Sequence, residues 1–267
     1  MGEAAAIGRL CGSPVTATHA LPGGDISGAS KITLADGRIV VAKHGPMVET
    51  EGRMLAALAE CGAPVPKVIG IERGTLIIDY VGPSAAMRAD HWSAVAAALD
   101  TLRDCSATDY GWSEDYALRN VVVSNMRTDN WVEFWRDNRL LCGLDELPAP
   151  LAQRVERLAG KLRDLIPSQP PASLVHGDLW GGNIVANPDG RIWLIDPCAY
   201  HGDREVDVAA MTVFDNPPSE LFNSLALEPG WRERLPVYRL WMWLTHVRLF
   251  GEGYRPAAES DLERLGF

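Results

Sequence analysis

Leu174-Val175-His176-Gly177-Asp178-Leu179-Trp180-Gly181-Gly182-Asn183-Ile184, continued by Leu194-Ile195-Asp196-Pro197, decides the reading of this chain. Residues 173–175 and 192–195 are apolar runs that read as short buried strands, and Asn187-Pro188-Asp189-Gly190 between them is a turn signal. The polar loop after the first run holds His176, Asp178 and Asn183 at a strand end. The second run delivers Asp196 beside them. Three oxygen-bearing groups, Asp178, Asn183 and Asp196, are thereby expected to converge on one point.

That set fits what phosphoryl transfer from a nucleotide demands. The transferred group spreads charge over its oxygens, so a protein has to supply metal ions and orient the attacking hydroxyl. Hard Mg2+ takes oxygen ligands and keeps several waters, so one carboxylate and one amide suffice beside the nucleotide's own phosphates. In the kinase pattern four residues separate the catalytic-loop Asp from the metal-binding Asn. Leu179, Trp180, Gly181 and Gly182 separate Asp178 from Asn183 here. On that template Asp178 is the base, Asn183 a metal ligand and Asp196 the main metal ligand, with ATP and Mg2+ as cofactors. His-Gly-Asp alone is equally readable as a turn whose Asp caps a helix. The Asn at the right interval and the strand ending in Asp-Pro make the combination specific. His176 reads as structural, holding the loop by a hydrogen bond.

The run from His176 to Asn183 resembles the signature of the fructosamine kinase (ketosamine kinase) family, relatives of the aminoglycoside and choline kinases. The Trp directly after His-Gly-Asp-Leu points to that family in particular. Residues 196–207 and 246–254 are also similar to it, so the resemblance covers nearly the whole chain. It implies a two-lobed, protein-kinase-like α+β fold: a small nucleotide-binding lobe over residues 1–81, with an antiparallel sheet and one helix, and a large, mainly helical catalytic lobe over 82–267. It implies ATP-dependent phosphorylation of a sugar hydroxyl, at the third carbon of fructosamine or ribulosamine adducts, which then break down and free the amine. The acceptor is a ketosamine or glycated lysine, and the role is repair of glycated amines or proteins. His176 and Trp180 are placed on the substrate side, where a flat indole suits stacking on a sugar chain. Two other readings stand beside this one. The first is another small-molecule kinase of the same fold, acting on an aminoglycoside, choline or an amino alcohol. The second is a nucleotide-binding pseudoenzyme, against which the intact set of Lys43, Asp178, Asn183 and Asp196 argues.

Upstream, residues 16–21, 29–34 and 38–43 read as strands. Between the first two, Gly23 and Gly24 sit in a turn that lets backbone amides approach phosphates; Asp36-Gly37 is a hairpin signal. Lys43 ends an apolar strand and needs a partner or a path to solvent. A helical pattern over 47–60, with Met54, Leu55 and Leu58 on one face, offers Glu49 and Glu51. The resemblance selects Glu51, and a Lys43–Glu51 pair would aim the ammonium at the nucleotide phosphates. Residues 67–71 and 75–80 are two further strands, and the resemblance makes the following segment a hinge that holds adenine through Asp79, Tyr80 and Val81. Gly82-Pro83-Ser84 breaks the pattern and marks the lobe boundary. Family members often carry Cys after the Gly-Gly pair. Asp25 stands here, so no thiol switch is implied.

The second part is expected to be helical over 90–103, 151–165 and 231–250. Residues 109–130 read as loop with short turns, and the aromatics of 131–140 mostly as core. Arg204, Glu205 and Asp207 open another helix, with Arg204 and Asp207 bracing the catalytic loop. At 267 residues, 47% hydrophobic and 22% charged, the composition is that of an ordinary globular enzyme. A net charge of −10 argues against a nucleic-acid partner. No apolar run is long enough to span a membrane, and the N-terminus does not read as a signal peptide. The five scattered cysteines read as reduced, mostly buried thiols of a cytoplasmic protein. The chain is expected to act as a monomer.

Overall fold

A computed structural model of the chain describes residues 3–21 and 28–267. The turn with Gly23, Gly24 and Asp25 lies outside the described residues. In chain order the N-terminal part comprises α1 (Glu3–Cys11), β1 (Val15–Ala20), β2 (Ala29–Leu34), β3 (Ile39–His44), α2 (Val48–Glu60), β4 (Val68–Glu72) and β5 (Thr75–Asp79). The rest holds α3 (Ala89–Arg103), β6 (Ser106–Ala107), β7 (Tyr116–Leu118), β8 (Val121–Val123), α4 (Trp131–Trp135), α5 (Ala149–Ala159), β9 (Ala172–Val175), β10 (Ile184–Ala186) and β11 (Ile192–Leu194). It ends with β12 (Tyr200–Gly202), α6 (Glu205–Ala210), α7 (Ser219–Ser224), α8 (Trp231–Phe250) and α9 (Arg255–Arg264).

The five N-terminal strands form one antiparallel sheet in the order β1-β2-β3-β5-β4. Side chains alternate across a strand, and β3 uses both faces. Val40 and Ala42 join Ile7, Cys11, Ile32, Leu34 and Ile77 in a cluster under α1. Val41, one residue out of phase, packs with Met54, Leu55 and Leu58 of α2 and with Leu76 and Ile78. Burying each such side chain contributes about 1.5–3 kcal/mol. Lys43 shares the face of Val41, so the same alternation turns its side chain toward α2 and the interior. The architecture is a protein-kinase-like α+β fold, with a sheet lobe leading a mainly helical part.

The helical part is held by aromatic packing. Trp131, Phe134 and Trp135 are fully buried on α4. Trp131 Nε1 donates to Tyr238 Oη on α8 at 3.1 Å, and that hydroxyl donates to Asp203 at 2.7 Å.

Three local expectations are corrected. Residues 109–130 are not all loop: β7 and β8 pair as a hairpin, with Tyr116 opposite Val123, because alternate residues Tyr116, Leu118, Val121 and Val123 are buried. The helix expected over 151–165 starts at Ala149 and ends at Ala159, followed by a separate 3-10 turn at Leu162–Asp164. Gly160, poor in helix propensity, stands at the break. The reading of all cysteines as reduced also fails, since Cys61 and Cys105 are joined by a disulfide with Cα atoms 6.0 Å apart. Cys61 caps α2 and Cys105 follows α3, so the packing of two helix ends, 44 residues apart in sequence, brings the thiols together.

Candidate active site

Asp178 and Asn183 sit on the loop between β9 and β10, and Asp196 follows β11. The loop is anchored from below. Asp207 of α6 accepts from the backbone amides of His176 at 2.7 Å and Gly177 at 2.8 Å. Gly177 has φ +80°, and a Cβ there would come within 2.1 Å of the Cys198 carbonyl oxygen. Only glycine allows this close approach of two backbones.

The pairing of β10 with β11 fixes the second half. Ile184 lies opposite Leu194, and the Ile195 amide donates to the Asn183 carbonyl at 3.0 Å. This register sets Asn183 beside the residue that precedes Asp196. Asn183 Nδ2 donates to both the Asp178 carbonyl at 2.7 Å and Asp178 Oδ2 at 3.0 Å. Asp196 adopts φ +55°, a left-handed conformation costly for a residue with a Cβ.

Lys43 Nζ bridges two carboxylates. It is bonded to Glu51, and it donates to Asp196 Oδ1 at 2.8 Å. Lys43 and Glu51 are each 2% exposed. Burial opposes the lysine charge, but the carboxylates of Glu51 and Asp196 outweigh it and hold Lys43 above the ordinary lysine value. Glu51, and not Glu49, is thus the acid that the sheet and α2 bring to Lys43.

The electrostatics of the loop differ from residue to residue. Burial lifts the Asp178 carboxyl to about 7; the Asn183 hydrogen bond pulls it down, and the charges of Asp196 and Asp207 add to the rise. Asp207 is raised to about 6, chiefly by burial. His176 is fully buried, and burial holds it down at about 4, so its ring is neutral. Its Nε2 donates to the Ile195 carbonyl at 3.0 Å. His176 therefore ties the loop to the strand that carries Asp196. Placing it on the substrate side is corrected: a ring with no exposed surface meets no substrate.

Trp180 is half-buried. Its ring folds back over Gly182, where a Cβ would come within 2.3 Å of it, and stands nearly perpendicular to Phe214 at a centroid distance of 5.3 Å. At the hinge, Asp79 ends β5 with its amide donating to the Lys67 carbonyl at 3.0 Å. Tyr80 lies under Lys31, with the ammonium 4.6 Å from the ring centre. The Val81 carbonyl accepts from Asn187 Nδ2 at 3.0 Å. Asn187 was legible only as a turn residue. In the structure it also reaches the Pro83 carbonyl at 3.1 Å and accepts from Trp193 Nε1 at 2.9 Å, fastening the hinge to the β10–β11 hairpin.

The donors present fit a hard divalent cation. Asn183 spends only its N–H groups on Asp178 and keeps its amide oxygen, while Asp196 has an oxygen beyond the one bonded to Lys43. Amide and carboxylate oxygens are what Mg2+ takes. A cation held there would draw Asp178 back down from 7 by opposite charge.

A buried lysine–glutamate pair under a sheet, a catalytic-loop aspartate and an asparagine–aspartate pair across a hairpin define an ATP-dependent phosphotransferase of the protein-kinase-like fold. The fructosamine kinase family model matches residues 4–266. The chain is 33% identical over 246 residues to a protein of Thermus thermophilus named as a probable ketoamine kinase, covering 88% of each chain. It is 27% identical over 270 residues to the chloroplastic protein-ribulosamine 3-kinase of Oryza sativa, covering 93% of this chain and 78% of that one. A crystal structure from Thermobifida fusca, assigned as a fructosamine-3-kinase, superposes with a TM-score of 0.91 at 26% identity and 98% coverage of both chains. The chain belongs to the fructosamine kinase family.

Proposed function

We propose that this enzyme transfers the terminal phosphoryl group of ATP to a sugar hydroxyl of a ketosamine, a fructosamine or ribulosamine adduct of an amine such as lysine. The observation that carries the reading is the Asp178–Asn183 pair: a carboxylate held by an amide on a loop braced at both ends, two residues from a half-exposed indole. Asp178 accepts the proton of the attacking hydroxyl, the part the catalytic-loop aspartate takes in this chemistry. Lys43, set by Glu51, meets the nucleotide phosphates. Asp79, Tyr80 and Val81 contact adenine. Asn183 and Asp196 would hold Mg2+, which neutralises phosphate charge when bound. Trp180 offers its exposed face to the sugar. The lobes meet near residue 82, and the enzyme works as a monomer. Among the described residues no helix is long and apolar enough to cross a membrane.

The test is an ADP-release assay with fructosyl-lysine and ribulosyl-lysine beside an aminoglycoside and choline. Turnover of the ketosamines that disappears in Asp178→Asn is expected. Turnover of the aminoglycoside with none of either ketosamine would overturn the acceptor and leave only the fold.

A further inference from the structure

Asp215 follows α6 and reaches back to the catalytic loop. Its Oδ2 accepts from the Gly181 amide at 2.6 Å, and a Cβ on Gly181 would come within 2.3 Å of its Oδ1. Gly181 lies three residues after Asp178. Asp215 makes no ion pair among the described residues. A half-buried carboxylate with a free oxygen and no cation is an electrostatic opening.

Aromatic rings surround that opening. Phe214, the preceding residue, is 41% exposed. Its ring meets Trp180 at 5.3 Å, Trp243 at 5.4 Å and His246 at 4.9 Å, all edge-on. Phe214 still keeps two-fifths of its surface exposed, next in the chain to Asp215. His246 Nδ1 donates to the Met242 carbonyl at 2.8 Å, so Nε2 carries a lone pair. Burial keeps this imidazole below its ordinary pKa, hence uncharged at neutral pH. Aromatic faces and a carboxylate together attract an organic cation, and a neutral imidazole does not repel one.

We propose that Asp215, the exposed ring of Phe214 and the neutral His246 form the subsite for the positively charged amine nitrogen of the acceptor, next to the Trp180 face that takes the sugar. The proposal rests on the ketosamine reading above and deepens it. In a ketosamine the amine nitrogen is three bonds from the third carbon of the sugar. Asp215 is bonded to Gly181, three residues beyond Asp178 on the same loop, so a ketosamine with its hydroxyl at Asp178 would extend its amine along the loop that Asp215 holds. The alternative role for Asp215 is to position the loop through Gly181, and the two roles differ in what they discriminate.

The experiment compares kcat and KM for fructosyl-lysine and for 1-deoxyfructose, the same sugar without an amine, at saturating ATP. In Asp215→Asn, the preference in kcat/KM for the cationic acceptor over the neutral one should fall about tenfold, carried by KM of fructosyl-lysine. In Phe214→Leu, which keeps the bond from Asp215 to Gly181, it should fall about threefold. An unchanged preference in both variants, or an equal loss of kcat on both acceptors, would show that Asp215 serves the loop alone and overturn the subsite. Wild-type enzyme with no turnover of fructosyl-lysine would instead overturn the ketosamine reading, and the subsite with it.

Discussion

Asn183 Nδ2 donates to Asp178 Oδ2 at 3.0 Å, while the Asn183 carbonyl accepts from Ile195, the neighbour of Asp196. One residue therefore couples Asp178, the proposed base, to the strand that presents Asp196, the proposed metal ligand. Asn183→Ala should lose more than a ligand, because Asp178 loses the donor that orients it. Turnover should fall about 10³-fold or more, as it should in Asp196→Asn, where Asn tolerates the left-handed backbone. ADP release measured across a Mg2+ titration checks this. Recovery of the wild-type rate in Asp196→Asn at high Mg2+ would remove Asp196 from the metal site.

Lys43 is a second junction. Lys43→Met leaves Glu51 buried without its counter-charge, and losing one partner of a buried pair costs about 3–5 kcal/mol. It should also lower turnover by orders of magnitude. The double variant Lys43→Met/Glu51→Met should regain much of the stability and none of the activity. Thermal denaturation and ADP release on the same preparations separate the two effects. A double variant no more stable than the single one would contradict the buried pairing.

His176 makes a pH prediction. Its folded pKa of about 4 lies below the ordinary histidine value of 6.5. Between those values the unfolded chain binds a proton that the folded chain refuses. The stability associated with the neutral ring is therefore present above pH 6.5 and is lost as pH falls toward 4. Relative to His176→Gln, wild-type protein should lose about 3 kcal/mol over that interval. Urea denaturation at pH 7 and pH 4.5 measures the difference. Parallel pH dependence in the two proteins would contradict a buried neutral His176.

The Cys61–Cys105 bond joins the end of α2 to the end of α3. Reducing it frees a loop of the unfolded chain and should lower stability by about 2–4 kcal/mol. The same loss is expected in Cys61→Ser, with no further loss on adding dithiothreitol. Thiol counting in denaturant, with and without reductant, and melting curves check the pair. A melting temperature indifferent to reductant would count against it.

The catalytic loop was legible in the sequence because its chemistry is local. Asp178 and Asn183 are five residues apart on one loop, and the apolar run before Asp196 marks a strand. Lys43 was legible for a related reason: an ammonium ending an apolar strand requires a partner, and α2 is the next element in the chain. The hairpin of β7 and β8 was missed because its strands are three residues each, too short for alternation to stand out from loop.

Sequence alone determined the order of the longer elements, the candidate site residues and the family, since periodicity, turn chemistry and residue spacing act over a few positions. Tertiary structure decided which of those groups meet one another and which are buried. It buried His176 under the loop by wrapping β11 and α6 around it. It set Asn187 against the hinge, Cys61 against Cys105 and Asp215 against Gly181, pairs separated by 106, 44 and 34 residues. No local pattern encodes such meetings, because they exist only once the apolar faces of distant helices and strands have packed and carried their polar neighbours with them.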